Sequence, residues 1–454
     1  MKRLLYLVWG GLVISSCFGS EGTCSITLPT QEHVEWADAE MGVLIHYDMF
    51  VFRPDYNFRK WGSHPDVSVF NPTALDTDQW IRAAKAMGAK YALLTAKHCC
   101  GFSLWPTRAH DYNISKTPYK KGKGDIVGEF VASCRKYGVK PGLYASTSAN
   151  GYLWVDNPGR VQKGSPVTQE QYNKIVETQL TELFTRYGKL FEIWFDGGVL
   201  AQEKGGANVL TLLQKYQPNA IVFQGPKRYP HLIRWVGNEQ GIAPYPCWST
   251  TGFVTQSGGD VEIKGLNGHP DANLWCPGEA DCTLRLYNIP GGGWGWHKGQ
   301  DHLLHSVPQM MEKYRTSVGR NSNMLIGIVV DDRGLVPEGD VKRMAEFGAA
   351  VRARYGTPLK RTEGEGKNLS LSLGAPTEID RVIIQEKLEY GERILGYEVK
   401  GLLADGSWQR LAYGTSVGHK KIDEFKPVKV KAVQLVVKSC KATPKIRNFA
   451  VFSK

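Results

Sequence analysis

The sequence carries no glycine-rich phosphate fingerprint after its first candidate strand, no HExxH pair and no serine nucleophile beside a base. Dinucleotide binding of the doubly wound kind, zinc-protease chemistry and triad hydrolysis are therefore not indicated. Its nine cysteines include no two pairs at metal-ligand spacing, so neither a metal site nor a cofactor is expected. A formal charge of +12 is spread along the chain, and its densest basic cluster, residues 116–123, falls in a loop rich in Gly and Pro. With no nucleic-acid motif beside it, this charge reads as solvated surface.

What is present is globular: 454 residues, 42% hydrophobic, with 50 Gly and 13 Trp. Lys2 and Arg3 precede an apolar run, residues 4–14, that is too short to span a bilayer and is built like a secretory signal. It runs into Ile14-Ser15-Ser16-Cys17, which resembles a bacterial lipobox. Residues 1–17 are thus expected to act as an export signal, with Cys17 as the lipid attachment point and a mature chain anchored in the cell envelope. Export permits disulfides, and Cys276 and Cys282 are one pair that could bridge.

Apolar runs alternate with helical patterns through residues 25–355. Strand-like runs at 42–47, 91–95, 139–146, 191–196, 221–224 and 324–330 are joined by helical patterns at 77–87, 126–137, 169–187, 210–216, 302–318 and 340–355. Residues 234–237 and 273–276 are weaker candidates for the sixth and seventh strands. Repeated strand–helix units predict a parallel sheet, and about eight of them predict a (β/α)8 barrel. From residue 367 the texture changes to short alternating runs separated by turns, so residues 366–454 are expected to form a smaller all-β sandwich. The boundary falls at 356–366.

In a barrel, the carboxyl ends of the strands face one cleft. Those tips carry His46, Lys97-His98, Tyr144, Trp194, Asp196 and Asn238-Glu239, with Glu279 following the weaker seventh candidate. Asp196 ends the run Phe191-Glu192-Ile193-Trp194-Phe195-Asp196-Gly197-Gly198, and by itself an aspartate before two glycines is an ordinary turn residue. Aromatic rings, imidazoles and carboxylates gathered at one mouth suit a neutral sugar, and a carboxylate pair is the usual equipment for cleaving a glycosidic bond.

The segments Gly42 to Tyr47, Thr95-Ala96-Lys97-His98 with Gly101-Phe102, Leu104-Trp105-Pro106, Gly142-Leu143-Tyr144, Trp194-Phe195-Asp196-Gly197 and Trp235-Val236-Gly237-Asn238-Glu239 resemble, in order, the α-L-fucosidases of glycoside hydrolase family 29. Residues 366–452 resemble the discoidin-like, carbohydrate-binding-like sandwich that follows the barrel in many members. The resemblance implies a retaining hydrolase of terminal α-linked L-fucose. Asp196 would be its nucleophile and Glu239 its acid/base, as in the subgroup acting on α-1,3/1,4 Lewis-type linkages. Glu279 is the rival proton donor. His46, His98, Tyr144 and Trp194 would contact the sugar, and Trp61 and His64 lie on a loop over it. The implied partner is a fucosylated oligosaccharide or glycoconjugate, and the only implied membrane contact is the lipid.

The chain departs from the family pattern in two places. Cys99-Cys100 replaces a second His and an Asp, and Leu325-Ile326-Gly327-Ile328-Val329-Val330 replaces a Leu-Asn-Ile-Pro-Pro pattern. These changes leave two other readings open: a hydrolase of the related sugar α-L-galactose, and a glycan-binding surface lipoprotein without activity.

Overall fold

The computed structural model describes residues 26–252 and 266–453. The signal segment and Cys17 lie outside them. Eight strands close into a barrel: β1 Met41–His46, β2 Tyr91–Lys97, β3 Lys140–Ala145, β4 Glu192–Trp194, β5 Ile221–Phe223, β6 Leu232–Trp235, β7 Gly278–Thr283 and β8 Ser322–Val329. They neighbour one another in chain order around the ring, with β8 returning to β1, and every pairing is parallel.

Helix α1, Gln31–Ala39, precedes the barrel; α2 Thr77–Met87, α3 Ile126–Tyr137, α4 Gln169–Arg186 and α5 Val209–Tyr216 follow β1 to β4. After β7 and β8 come α6 Val307–Ser317 and α7 Glu338–Tyr355. Helices α2 and α3 fall where the periodicity puts them because their ends are written locally. Asp76 and Asp125 accept the free amides of Gln79 and Gly128 in the first turn, and an apolar stripe behind each cap packs on the strands.

Among the described residues no helix follows β5 or β6. The described part of the long β6–β7 connection is anchored by Arg234 at 1% exposure. Its guanidinium donates to the carbonyls of Cys276, Trp248 (2.7 Å) and Leu266 (3.1 Å), satisfying loop backbone that would otherwise be buried without partners. The expected seventh strand at 273–276 is not part of the barrel, since Leu274–Trp275 pairs antiparallel with Thr250–Thr251 in a small ribbon. The true seventh strand, Gly-Glu-Ala-Asp-Cys-Thr, has no apolar run because its inward row is Glu279, Asp281 and Thr283.

Outward residues such as Val43, Ile45, Leu94, Ile193, Ile326 and Ile328 pack in the shell under the helices. The barrel interior is filled by Leu44, Tyr91, Leu93, Tyr144, Trp194, Phe223, Ile233 and Leu325. Among the inward strand positions without a side chain, Gly42 and Gly327 are each covered by an aromatic ring. A Cβ on Gly42 would lie 2.4 Å from the Tyr91 ring, and one on Gly327 would lie 2.3 Å from Trp294.

The C-terminal domain is a six-stranded antiparallel sheet: β9 Lys360–Glu365, β10 Asn368–Glu386, β11 Ile394–Leu402, β12 Trp408–Gly414, β13 Lys421–Cys440 and β14 Lys445–Phe452, ordered β9-β14-β10-β13-β11-β12. Its first strand lies inside the stretch expected as a linker. Register shifts in the long strands β10 and β13 let the sheet enclose a core that includes Ile379, Val382, Ile384, Val399, Val433 and Phe449. Ile383, Ile422, Ala450 and Phe452 turn the other way and join the main core of the barrel. Around that joint His419 bonds Glu40 (3.0 Å), Arg447 bonds Asp38 (2.6 Å) and the buried Glu392 accepts from Ser249 and Asn321.

The described cysteines are all unbridged, Cys276 and Cys282 included. Cys282 lies in the outward row of β7 among apolar neighbours, and both thiols are buried.

Candidate active site

Asp196 stands just past the end of β4 and is exposed. The Tyr144 hydroxyl, from the tip of the adjacent β3, donates to its Oδ2 at 3.0 Å, and Ser148 donates to its backbone carbonyl at 2.6 Å. Tyr144 is itself 1% exposed. Burial and the Asp196 charge push its pKa well above the usual phenol value, so it acts as a donor. Its ring stacks on Trp194 at 5.4 Å, and Trp194 stacks on Phe223 at 4.0 Å. Three strand tips thus form one aromatic wall beside a carboxylate.

Glu239 lies in the turn after β6 and is half-buried. Trp294, from the glycine-rich loop after β7, donates Nε1–H to Oε2 at 3.0 Å. The exposed Tyr287 is a second neighbour, and the Glu239 charge raises its pKa. Asp281 lies deeper, accepts Trp235 Nε1–H at 2.7 Å, and has its pKa driven well up by burial, with Glu239 and Glu279 adding to the shift. Asp196 and Glu239 follow strands that are separated only by β5.

His46 and His98 complete the wall, with their rings edge-on at 5.5 Å. His46 also meets Tyr144 at 6.5 Å and Trp294 at 5.1 Å. Burial lowers its pKa to about 3, with His98 adding to the shift, so it is a neutral ring at physiological pH. His98 differs. Burial opposes its charge, but Cys99 and Asp48 outweigh it and hold its pKa well above the usual histidine value. Asp48 Oδ2 contacts His98 Nδ1 at 2.7 Å, while its Oδ1 caps the helical turn Met49–Phe52.

Cys99 is half-buried, with Sγ 3.8 Å from His98 Nδ1, so it borders that imidazole. Cys100 points away into the core, fully buried. Lys97, beside them, is 2% exposed and its Nζ has no hydrogen-bond partner; burial lowers its pKa to about 8.

Glu279, the rival proton donor, does not reach this mouth. It is the second residue of β7, 0% exposed, and accepts from Tyr91 (2.8 Å) and Trp194 Nε1 (2.9 Å). Burial raises its pKa to about 7, against the lowering effect of those bonds. It is a structural carboxylate of the barrel interior. His64 is exposed on the loop after β1 and sits edge-on to Tyr112 (5.1 Å) and Tyr152 (4.9 Å). Trp61 is half-buried on the same loop. Among the described residues no group of three or more His, Cys, Asp or Glu side chains is arranged to hold a metal ion.

Sequence reasoning did not pick out Asp48, Tyr287, Phe223 or Trp294. The run Pro290-Gly291-Gly292-Gly293-Trp294-Gly295-Trp296 was the available signal for Trp294: glycines bring backbone close and leave an aromatic to project.

A family model described as α-L-fucosidase matches residues 22–226. The crystal structure of a putative α-L-fucosidase from Bacteroides thetaiotaomicron VPI-5482 aligns with a TM-score of 0.89 at 37% identity, covering 95% of this chain and 100% of that one. The chain belongs to the α-L-fucosidase family, glycoside hydrolase family 29. A second putative α-L-fucosidase from Bacteroides thetaiotaomicron aligns with a TM-score of 0.83 at 30% identity, over 96% of this chain and 99% of that one. Among curated relatives, the putative α-L-fucosidase 1 of Oryza sativa subsp. japonica is 29% identical over 100% of this chain and 92% of its own length. The likeness to these fucosidases therefore spans both the barrel and the C-terminal sheet.

Proposed function

We propose that this protein is an exo-acting retaining α-L-fucosidase that removes terminal α-1,3/1,4-linked L-fucose from Lewis-type glycans, with Asp196 as nucleophile and Glu239 as acid/base. The observation that carries the reading is the pairing of an exposed carboxylate, held by Tyr144 at the tip of β4, with a second carboxylate past β6 at the same mouth. Neighbouring strands are about 4.8 Å apart, so two strands separated by one stand about 10 Å apart at their axes. Side chains leaning inward from both can approach the roughly 5 Å carboxyl separation that retention requires.

In this mechanism Asp196 attacks the anomeric carbon while Glu239 protonates the departing glycosidic oxygen, giving a covalent fucosyl-enzyme. Glu239 then takes a proton from water, and the water displaces Asp196. The wall of Tyr144, Trp194, His46 and His98 offers the sugar a flat apolar surface and ring nitrogens for its hydroxyls. We also propose that Cys17 carries a lipid anchoring the enzyme in a bacterial envelope.

Purified protein lacking residues 1–17 is incubated with aryl α-L-fucoside, aryl α-L-galactoside and Lewis trisaccharides, and the anomer first released is read by NMR. Release of α-L-fucose supports the reading. Release from the galactoside alone moves the sugar, the β-anomer overturns retention, and no release from any substrate overturns the enzyme. Radiolabelled palmitate incorporated by the full chain but not by Cys17→Ser tests the anchor.

A further inference from the structure

We propose that Trp294 positions Glu239, and that Gly327 is glycine in order to seat Trp294; this deepens the reading of Glu239 as proton donor and rests on it. Gly327 lies on the inward row of β8 after Asn323 and Leu325, one residue in two along the strand. A glycine inside a strand weakens it relative to alanine and commonly marks a close approach of another group. Here the approaching group is the Trp294 indole, which would lie 2.3 Å from a Cβ at position 327. Nothing shorter than the loss of the whole side chain admits the ring.

The seated indole does two things at once. One edge meets the neutral ring of His46 at 5.1 Å, on the sugar-facing wall. The other presents Nε1–H to Glu239 Oε2 at 3.0 Å. The backbone around Glu239 is tied to β7, with Val236 N–H donating to the Glu279 carbonyl and Gly241 N–H to that of Asp281, so the turn is fixed and the indole fixes the side chain that rises from it. An indole donates but cannot accept, so it binds the carboxyl group without competing for its proton. The chain's departure from the family pattern along β8 and the tryptophan in the glycine-rich loop are, on this account, one device shared by two segments.

The test separates acid catalysis from general damage by leaving group. Trp294→Phe keeps the ring and removes the donor. It is expected to lower kcat/KM, which reports the leaving-group step alone, about 10- to 100-fold on a fucosylated oligosaccharide, whose leaving group needs a proton, and less than about threefold on 2,4-dinitrophenyl α-L-fucoside, whose leaving group does not. Gly327→Ala, which displaces the indole, is expected to give the same split, and Trp294→Ala with Gly327→Ala to lose no more than Trp294→Ala alone. Circular dichroism and Tm confirm that each variant is folded. Equal losses on both substrates, no loss on either, or additive losses in the double variant overturn the proposal. Glu239→Ala is the control: without a leaving-group split there, the assignment of Glu239 falls, whereas a split there and none in Trp294→Phe removes only the role of Trp294. A wild-type protein inert on both substrates overturns the proposed function and this inference with it.

Discussion

Asp196 on β4 and Glu279 on β7 are both carboxylates on the inner wall of one barrel, and both belong to the Trp194 neighbourhood. Asp196 lies two residues beyond that indole along the strand, exposed and held by a single phenol. Glu279 accepts the indole N–H itself, fully buried, with Tyr91 on its other oxygen. Depth decides their chemistry. At the strand tip a carboxylate is fixed by rigid neighbours yet open to a substrate. One layer down the same group is desolvated and becomes a hydrogen-bond acceptor that holds Trp194 upright for the wall above. Asp196 is thus supported through Tyr144 and Trp194 by a carboxylate closed to solvent.

This contrast can be broken in a definite order. Asp196→Ala should abolish turnover, by about ten-thousand-fold or more, with an unchanged Tm, because the residue packs against nothing that needs it. Glu279→Ala should do the reverse at first: it strands the buried donors of Tyr91 and Trp194 and opens a cavity, costing on the order of 3–5 kcal/mol in chemical denaturation. If Glu279→Ala spared stability and removed activity, the two roles would have to be exchanged.

A subtler outcome concerns pH. The folded pKa of Glu279 is raised from 4.5 to about 7, so folding favours its protonated form. The associated stability is complete below about pH 4.5 and is lost as pH rises through about 7. The loss belongs to the buried pair of Glu279 and Glu192, whose carboxyl groups hydrogen-bond each other and titrate together. Glu279→Gln should flatten that part of the denaturation-versus-pH curve, and a curve as steep as wild type would show that another group titrates there. The smallest effect belongs to Tyr144→Phe. It removes one hydrogen bond to Asp196 while leaving the stack on Trp194, and should lower kcat about 10-fold with little change in KM.

The same contrast explains what could be read from the residues alone. The position of Asp196 at a strand tip was legible because β4 is an apolar run that stops at a carboxylate, though its role was suggested only by the family likeness, and α2 and α3 were legible from their periodicity, with Asp76 and Asp125 capping them. Strand β7 was not, since its inward residues are polar and its two carboxylates accept from Tyr91, Trp194 and Trp235, residues that come from β2, β4 and β6. Periodicity registers burial of apolar groups, and it is blind to a strand whose buried face is hydrogen-bonded across the barrel. Glu239 could be placed by family likeness, but Trp294 could not, because its partner Gly327 is a missing side chain some thirty positions away.

The joint between the barrel and the C-terminal sheet has its own consequence. Phe452 and Ile383 are part of the same apolar cluster as the helices around the barrel. Until β10 and β14 are in place the barrel has therefore not finished burying its core, and their absence would leave a sticky patch at the foot of the barrel. For such a molecule the second domain is the closing wedge of folding, and removing it to obtain a minimal hydrolase should yield aggregates in place of a smaller enzyme.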